Sequence, residues 1–200
     1  MHNLLLDFIS SYISLDEEEK EAITSLSLFR NVEKGTILLK TGEVSKVGYF
    51  ILKGCLRKYY MVEGEEKTTA FYTEMEGLTP QSLIDHKPSE YYISCVEDSV
   101  ITVSTMELET EMLEKFPKFE KLCRLVSEDL LAKKQIEFDH FKTSSPEERY
   151  LCLLRDRPDL IQRVPLNYLA SYIGITPPSL SRLRARIQKN GKNPAPGLSA

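Results

Sequence analysis

Four cationic side chains, Arg182, Arg184, Arg186 and Lys189, stand near the C-terminal end of the chain among small or hydroxyl-bearing neighbours, Thr176, Pro178, Ser179 and Ser181. No carboxylate occurs from Val164 onwards. An arginine guanidinium presents a planar fork of donors that fits a phosphate or the O6/N7 edge of guanine, and short hydroxyls reach phosphate oxygens. At about 100° per residue on a helix, Pro178, Ser181, Arg182 and Ala185 oppose an apolar stripe of Leu180, Leu183 and Ile187. Arg184 falls on one flank, with Ser179 and Arg186 nearer the other. A helix with that outer face has the chemistry of a major-groove reader. Arg182 is the candidate for a base edge; Thr176, Pro178, Ser179, Ser181, Arg184, Arg186 and Lys189 are the candidates for the surrounding groove and phosphates.

A solvated αα-hairpin would carry the same charges, so the decision rests on how the chain enters this helix. Leu166, Leu169, Ala170 and Ile173 recur at i, i+3, i+4 and i+7, which predicts a preceding short helix with one apolar stripe. Gly174 ends it and tolerates the positive φ of a sharp turn. Thr176 is a suitable N-cap and Pro177 suits the first position of the second helix. Small Ala170 permits close approach of the two helices. The unit predicted is a helix-turn-helix.

The charge distribution agrees. Residues 164–200 carry five basic and no acidic side chains, whereas the other 163 residues carry 21 basic and 30 acidic ones. An acidic body with a basic C-terminal unit confines phosphate attraction to one surface.

Two hundred residues with 42% hydrophobic content suffice for a packed core and more than one compact unit. No apolar run approaches the length of a membrane span, and the N-terminus lacks the basic start and small-residue cleavage site of a signal peptide, so a cytoplasmic location is expected. Cys55, Cys95, Cys123 and Cys152 are scattered, with no Cys-x-x-Cys pair, and are expected to be thiols. His2, His86 and His140 form neither a His-x-His nor a His-Glu-x-x-His arrangement, and no glycine elbow surrounds a Ser or Cys, so neither a metal site nor catalysis is expected.

Taken in order, Leu4, Leu5, Phe8, Ile9 and Tyr12 form one helical face. Ser14 or Asp16 then caps a segment through Ile23 and Leu26. Short β-rich runs follow at 35–39, 47–52, 55–62, 67–72, 91–96 and 99–104, separated by turns such as Lys53-Gly54 and Glu63-Gly64-Glu65. Their spacing argues for an antiparallel sandwich or barrel. Helix returns at Met106 and is interrupted near Pro117. Beyond it, Phe116, Phe119, Cys123, Val126 and Leu130 step by 3, 4, 3 and 4, the seam of a helix to Phe141 about 35 Å long. Such a helix is expected to be a dimer spine, since paired recognition helices read half-sites one duplex turn apart. Lys142–Pro146 is the expected hinge, a helix runs from there to about Leu154, and 155–159 reads as a turn.

This order resembles the Crp/Fnr family of bacterial transcription regulators. Two stretches carry the resemblance: Tyr49–Tyr60, similar to the family's strand-Gly-strand in a cyclic-nucleotide-binding-like roll, and Asn167–Arg186, especially Ile173-Gly174-Ile175-Thr176 and Leu180-Ser181-Arg182-Leu183. It implies an α+β chain: an N-terminal antiparallel β-roll (a double-stranded β-helix) flanked by helices, a long dimerisation helix and a C-terminal winged-helix-type helix-turn-helix. The expected division is a sensor roll over 1–115, a dimerisation helix over 116–142, a DNA-binding unit over 143–188 and a flexible tail over 189–200. The implied protein is a homodimer that reads a near-palindromic operator on double-stranded DNA; the alternative is a sensing module whose C-terminal unit docks protein.

The departures are equally specific. Family members that bind cyclic AMP carry a Gly-Glu-Leu cassette followed by Arg-Ser or Arg-Thr, whereas Glu76–Tyr91 has no Gly-Glu-Leu and offers Ser89-Glu90 in the arginine region. A carboxylate there repels an anion, so cyclic AMP is not the expected ligand, and any small-molecule effector is unidentified. His86 and Lys87 are read as solvated loop residues. The cysteines also lack the family's oxygen-sensing cluster pattern, and there are no paired histidines for haem. Pro177-Pro178 replaces a polar or charged pair of many members, which leaves Arg182 as the principal reader.

Overall fold

The computed structural model describes residues 2–26 and 29–189. The chain divides into two compact units, one formed by residues up to Tyr60 together with Ala70–Leu131, the other by Met61–Thr69 together with the chain from Ala132.

The first unit opens with α1 (His2–Ser10) and α2 (Glu17–Leu26). Asp16 is the cap of α2: its Oδ1 accepts from Glu19 N at 3.0 Å while Asp16 N donates to Glu19 Oε2 at 2.8 Å, a reciprocal pair that satisfies two otherwise orphaned donors. The apolar faces of these helices close on α4 (Met106–Lys115) and the start of α5 (Lys118–Thr143), around a cluster of Ala22, Ile23, Phe116 and Phe119. Phe116 and Phe119 therefore belong to the core of this unit, and the exposed seam of α5 lies beyond them.

Eight strands follow among the described residues: β1 (Phe29–Val32), β2 (Ile37–Leu39), β3 (Gly48–Lys53), β4 (Leu56–Val62), β5 (Glu65–Tyr72), β6 (Gly77–Leu78), β7 (Tyr92–Cys95) and β8 (Ser99–Ser104). They form two four-stranded sheets, ordered β1-β8-β3-β6 and β2-β7-β4-β5, with antiparallel ladders. Leu39, Ile51, Leu56, Ile93 and Ile101 fill the space between them. The six β-rich runs read from sequence all lie on strands, but β1, β6 and the short helix α3 (Gln81–Asp85) were not expected. β1 is a four-residue edge strand with polar Arg30 and Asn31 at its centre, and β6 is only two residues long. Neither is long enough to show a period.

Gly54 makes the β3–β4 turn possible. Its φ is +109°, and a Cβ there would stand 2.7 Å from Ser99 Cα. Only a residue without a side chain fits.

In the second unit, Ser145 caps α6 (Pro146–Asp156) through a capping box with Glu148. Residues 155–159, expected as a turn, instead end α6 and begin α7 (Pro158–Arg163), in which Pro158 occupies the first turn and supplies a preset φ without losing a needed donor. α8 (Leu166–Ile173) and α9 (Pro177–Lys189) complete the described chain. The tail expected from 189 and any wing following it lie, apart from Lys189, outside the described residues. No described helix is long and apolar enough to cross a membrane.

Candidate nucleic-acid interface

The α8–α9 unit is closed by its turn. Gly174 has φ +79°, its N–H donates to Ser171 O at 3.1 Å, and Ile175 N donates to Ala170 O at 3.0 Å, so the last carbonyls of α8 are satisfied as the chain reverses. Leu169, Ala170 and Ile173 of α8 and Leu180, Leu183 and Ile187 of α9 are all buried. Burying both stripes turns the opposite side of α9 outward. Ser179 N–H donates to Thr176 Oγ1 at 3.4 Å, so Thr176 stands in the capping position in front of Pro177.

Of the candidate residues, Thr176, Pro178, Ser181, Arg182, Arg186 and Lys189 are exposed, and Ser179 and Arg184 are half-buried on the flanks. The first turn of α9 is tied together by hydroxyls: Thr176 Oγ1 donates to Ser179 Oγ at 2.9 Å, Ser181 Oγ donates to Pro177 O at 3.1 Å, and Arg182 Nη2 donates to Ser179 Oγ at 3.3 Å. Arg182 thus leans back over the N-terminal turn of its helix, the part that would enter a groove first. Arg186 differs from the other candidates because it is ion-paired with Glu147 of α6. Part of its charge is committed within the unit.

One partner of this unit was not legible in the sequence. Ser171, on α8, accepts from Thr68 N and donates to Glu66 O, both at 2.9 Å, which binds the tip of the β4–β5 hairpin to the first helix of the pair. Nothing in the spacing of a lone serine announces a contact 103 residues away.

The stretch that replaces the nucleotide cassette has its own chemistry within the first unit. The Tyr91 hydroxyl accepts from Gln81 N at 2.8 Å at the start of α3, where an anion would otherwise find a free amide. Lys58 Nζ lies 3.9 Å from the centre of the Tyr91 ring, and burial holds its ammonium below the usual lysine range. Ser89 is buried, with its hydroxyl donating to Tyr91 O at 2.9 Å, and Glu90 is exposed. His86 and Lys87 are also exposed, as expected for a solvated loop. The cysteines are free thiols: Cys55 and Cys95 are buried, Cys152 is half-buried and Cys123 is exposed.

Residues 29–115 match the cyclic nucleotide-binding domain family. Along most of its length the chain is similar to the regulatory protein HlyX of Actinobacillus pleuropneumoniae, 23% identical over 80% of this chain and 71% of the relative. It is also similar to the fumarate and nitrate reduction regulatory protein of Vibrio cholerae, 24% identical over 88% of this chain and 76% of the relative. Among solved structures it shares its fold with the c-di-GMP-responsive regulator CLP of Xanthomonas campestris, at a TM-score of 0.69 and 16% identity over 91% of this chain and 96% of that one. FixK2 of Bradyrhizobium japonicum is comparable, at a TM-score of 0.68 and 12% identity over 86% and 90%. Residues 29–115 thus form a cyclic nucleotide-binding domain, and along most of its length the chain is similar in sequence and in fold to transcription regulators of the Crp/Fnr type.

Proposed function

We propose that the chain works as a homodimer that reads a near-palindromic operator through its paired α9 helices, without cyclic AMP. Arg182 is the base reader. Thr176, Pro178, Ser179, Ser181, Arg184 and Lys189 line the groove and meet phosphates, and Arg186 contributes the charge that Glu147 leaves it. The roll over 1–115 is the sensor, 116–142 the spine and 143–188 the DNA-binding unit. The observation that carries this reading is the outward face of α9, where exposed Arg182 is braced by the Ser179 hydroxyl over the first turn.

Dimerisation is supported by α5, whose Leu131, Ile136 and Phe138 are 61%, 70% and 60% exposed. Three large apolar side chains so placed on one helix favour a covering partner, and a second copy provides it with the two-fold symmetry an operator needs. Independence from cyclic AMP is supported by the Tyr91 hydroxyl on Gln81 N and by exposed Glu90.

Selection of bound duplexes from a random pool tests the reading. It should enrich inverted half-sites with centres about one helical turn apart. A pool that enriches no sequence, or only single half-sites, would contradict it.

A further inference from the structure

At the edge of the roll where β1 and β2 are the outer strands, the two sheets and the 43–47 loop line an open cavity of about 340 Å³. This is the opposite edge from β5 and β6, but its lining is tied to the stretch that holds α3: Ser45 N donates to Ser82 Oγ at 3.1 Å and Ser89 N donates to Glu43 O at 2.8 Å. Its volume is in the lower range for small-molecule sites. Val32, Leu39, Ile101 and Val103 supply apolar walls.

Two buried hydroxyls also line it, and both have already used their protons. Tyr49 Oη donates to Leu38 O at 3.0 Å and Ser45 Oγ donates to Val47 O at 2.8 Å. Burial raises the Tyr49 hydroxyl above its ordinary range, so it stays neutral. The interior therefore offers a guest carbon surface and oxygen lone pairs, but no hydroxyl donor.

Donors come from the rim. Arg30 and Lys46 both line the cavity and are exposed, and neither side chain makes a hydrogen bond or ion pair among the described residues. Glu43 is the third charged lining residue, with its Oε2 accepting from Lys40 N at 2.9 Å. Two cations and one carboxylate leave a single net positive charge, which attracts an anion and which one carboxylate neutralises.

We propose that this cavity binds a small monocarboxylate, its apolar body between the sheets and its carboxylate at Arg30 and Lys46. The guanidinium supplies a bidentate partner, the ammonium a point charge. The inference concerns the roll alone and does not depend on how the chain meets DNA.

Calorimetry on the full chain with hexanoate and benzoate, and with hexanamide and benzamide as neutral isosteres, tests it. Saturable binding of a carboxylate at one site per chain is expected, at least about tenfold tighter than its amide. The Arg30→Gln/Lys46→Gln double variant should weaken that binding by about tenfold or more while its thermal melt stays in place. Val44→Trp, at a half-exposed lining position, should block it. An excess of cyclic AMP should not displace the bound acid. No saturable binding of either acid up to about 10 mM would overturn the proposal. So would equal affinity for acid and amide, or unchanged affinity in the folded double variant.

Discussion

Ser171 and Thr68 are joined by a hydrogen bond of 2.9 Å from the Thr68 amide to the Ser171 hydroxyl, and the same hydroxyl donates onward to Glu66 O. β5 is the outer strand of its sheet, so its outward N–H and C=O groups need partners from beyond the sheet. One serine on α8 answers two of them, two residues apart. Thr68 is buried and Glu66 exposed, so loss of the serine leaves an amide that water does not readily reach. Ser171→Ala should cost about 1–3 kcal/mol in chemical denaturation and remove hydrogen-exchange protection at Thr68. Unchanged protection there would mean the contact contributes nothing in solution.

Gly54→Ala should be among the most damaging single substitutions in the roll. Its Cβ would overlap Ser99, 2.2 Å from Oγ and 2.7 Å from Cα, at a φ of +109°. Gly35 is the comparison: φ is +82°, but nothing lies within 4 Å of an added Cβ. Gly35→Ala should therefore cost only the left-handed strain, about 1–2 kcal/mol. Gly54→Ala should exceed it by about 2 kcal/mol or prevent folding. Equal melting temperatures for the two variants would show that Ser99 yields freely.

Burial pushes the Cys152 thiol up to about 11, helped by its hydrogen bond to Asp156 Oδ2 at 3.0 Å and by the charge of that carboxylate. Because the thiolate is the nucleophile, at pH 8 only about one molecule in a thousand is reactive, against roughly one in four for an unperturbed thiol. Alkylation of Cys152 in the folded chain should be at least about tenfold slower than in urea. Asp156→Asn removes a negative charge, lowers the thiol pKa and should speed the reaction. Equal rates folded and unfolded would contradict this environment.

Ile136→Lys combined with Phe138→Lys should convert the protein to a monomer in sedimentation experiments, because it places charge on side chains that are 70% and 60% exposed on α5. The monomer should retain its thermal melt. A dimer persisting with both lysines would move the interface elsewhere.

The helix-turn-helix was the most legible part of the sequence, because Leu169, Ala170, Ile173, Leu180, Leu183 and Ile187 are local repeats whose burial follows from their own spacing. β3 was also readable: it is buried on both faces, so its hydrophobic run is nearly continuous. α7 was hidden by Arg157-Pro158, which reads as a turn until its neighbours show that Pro158 opens a helix. The partners least visible were the long-range ones. Ser171 on the hairpin, Tyr91 on Gln81 N and Glu147 on Arg186 are single side chains, and no period in the sequence marks them.

The most direct test of the account is fluorescence anisotropy with a selected operator and a scrambled duplex, across a salt series, with and without cyclic AMP. The chain should prefer the operator, lose affinity steeply with salt and ignore cyclic AMP. Arg182→Ala should erase the preference, whereas Lys189→Ala should weaken both duplexes and flatten the salt slope by about 1. Equal losses on both duplexes for Arg182→Ala, or a preference that appears only with cyclic AMP, would contradict the account.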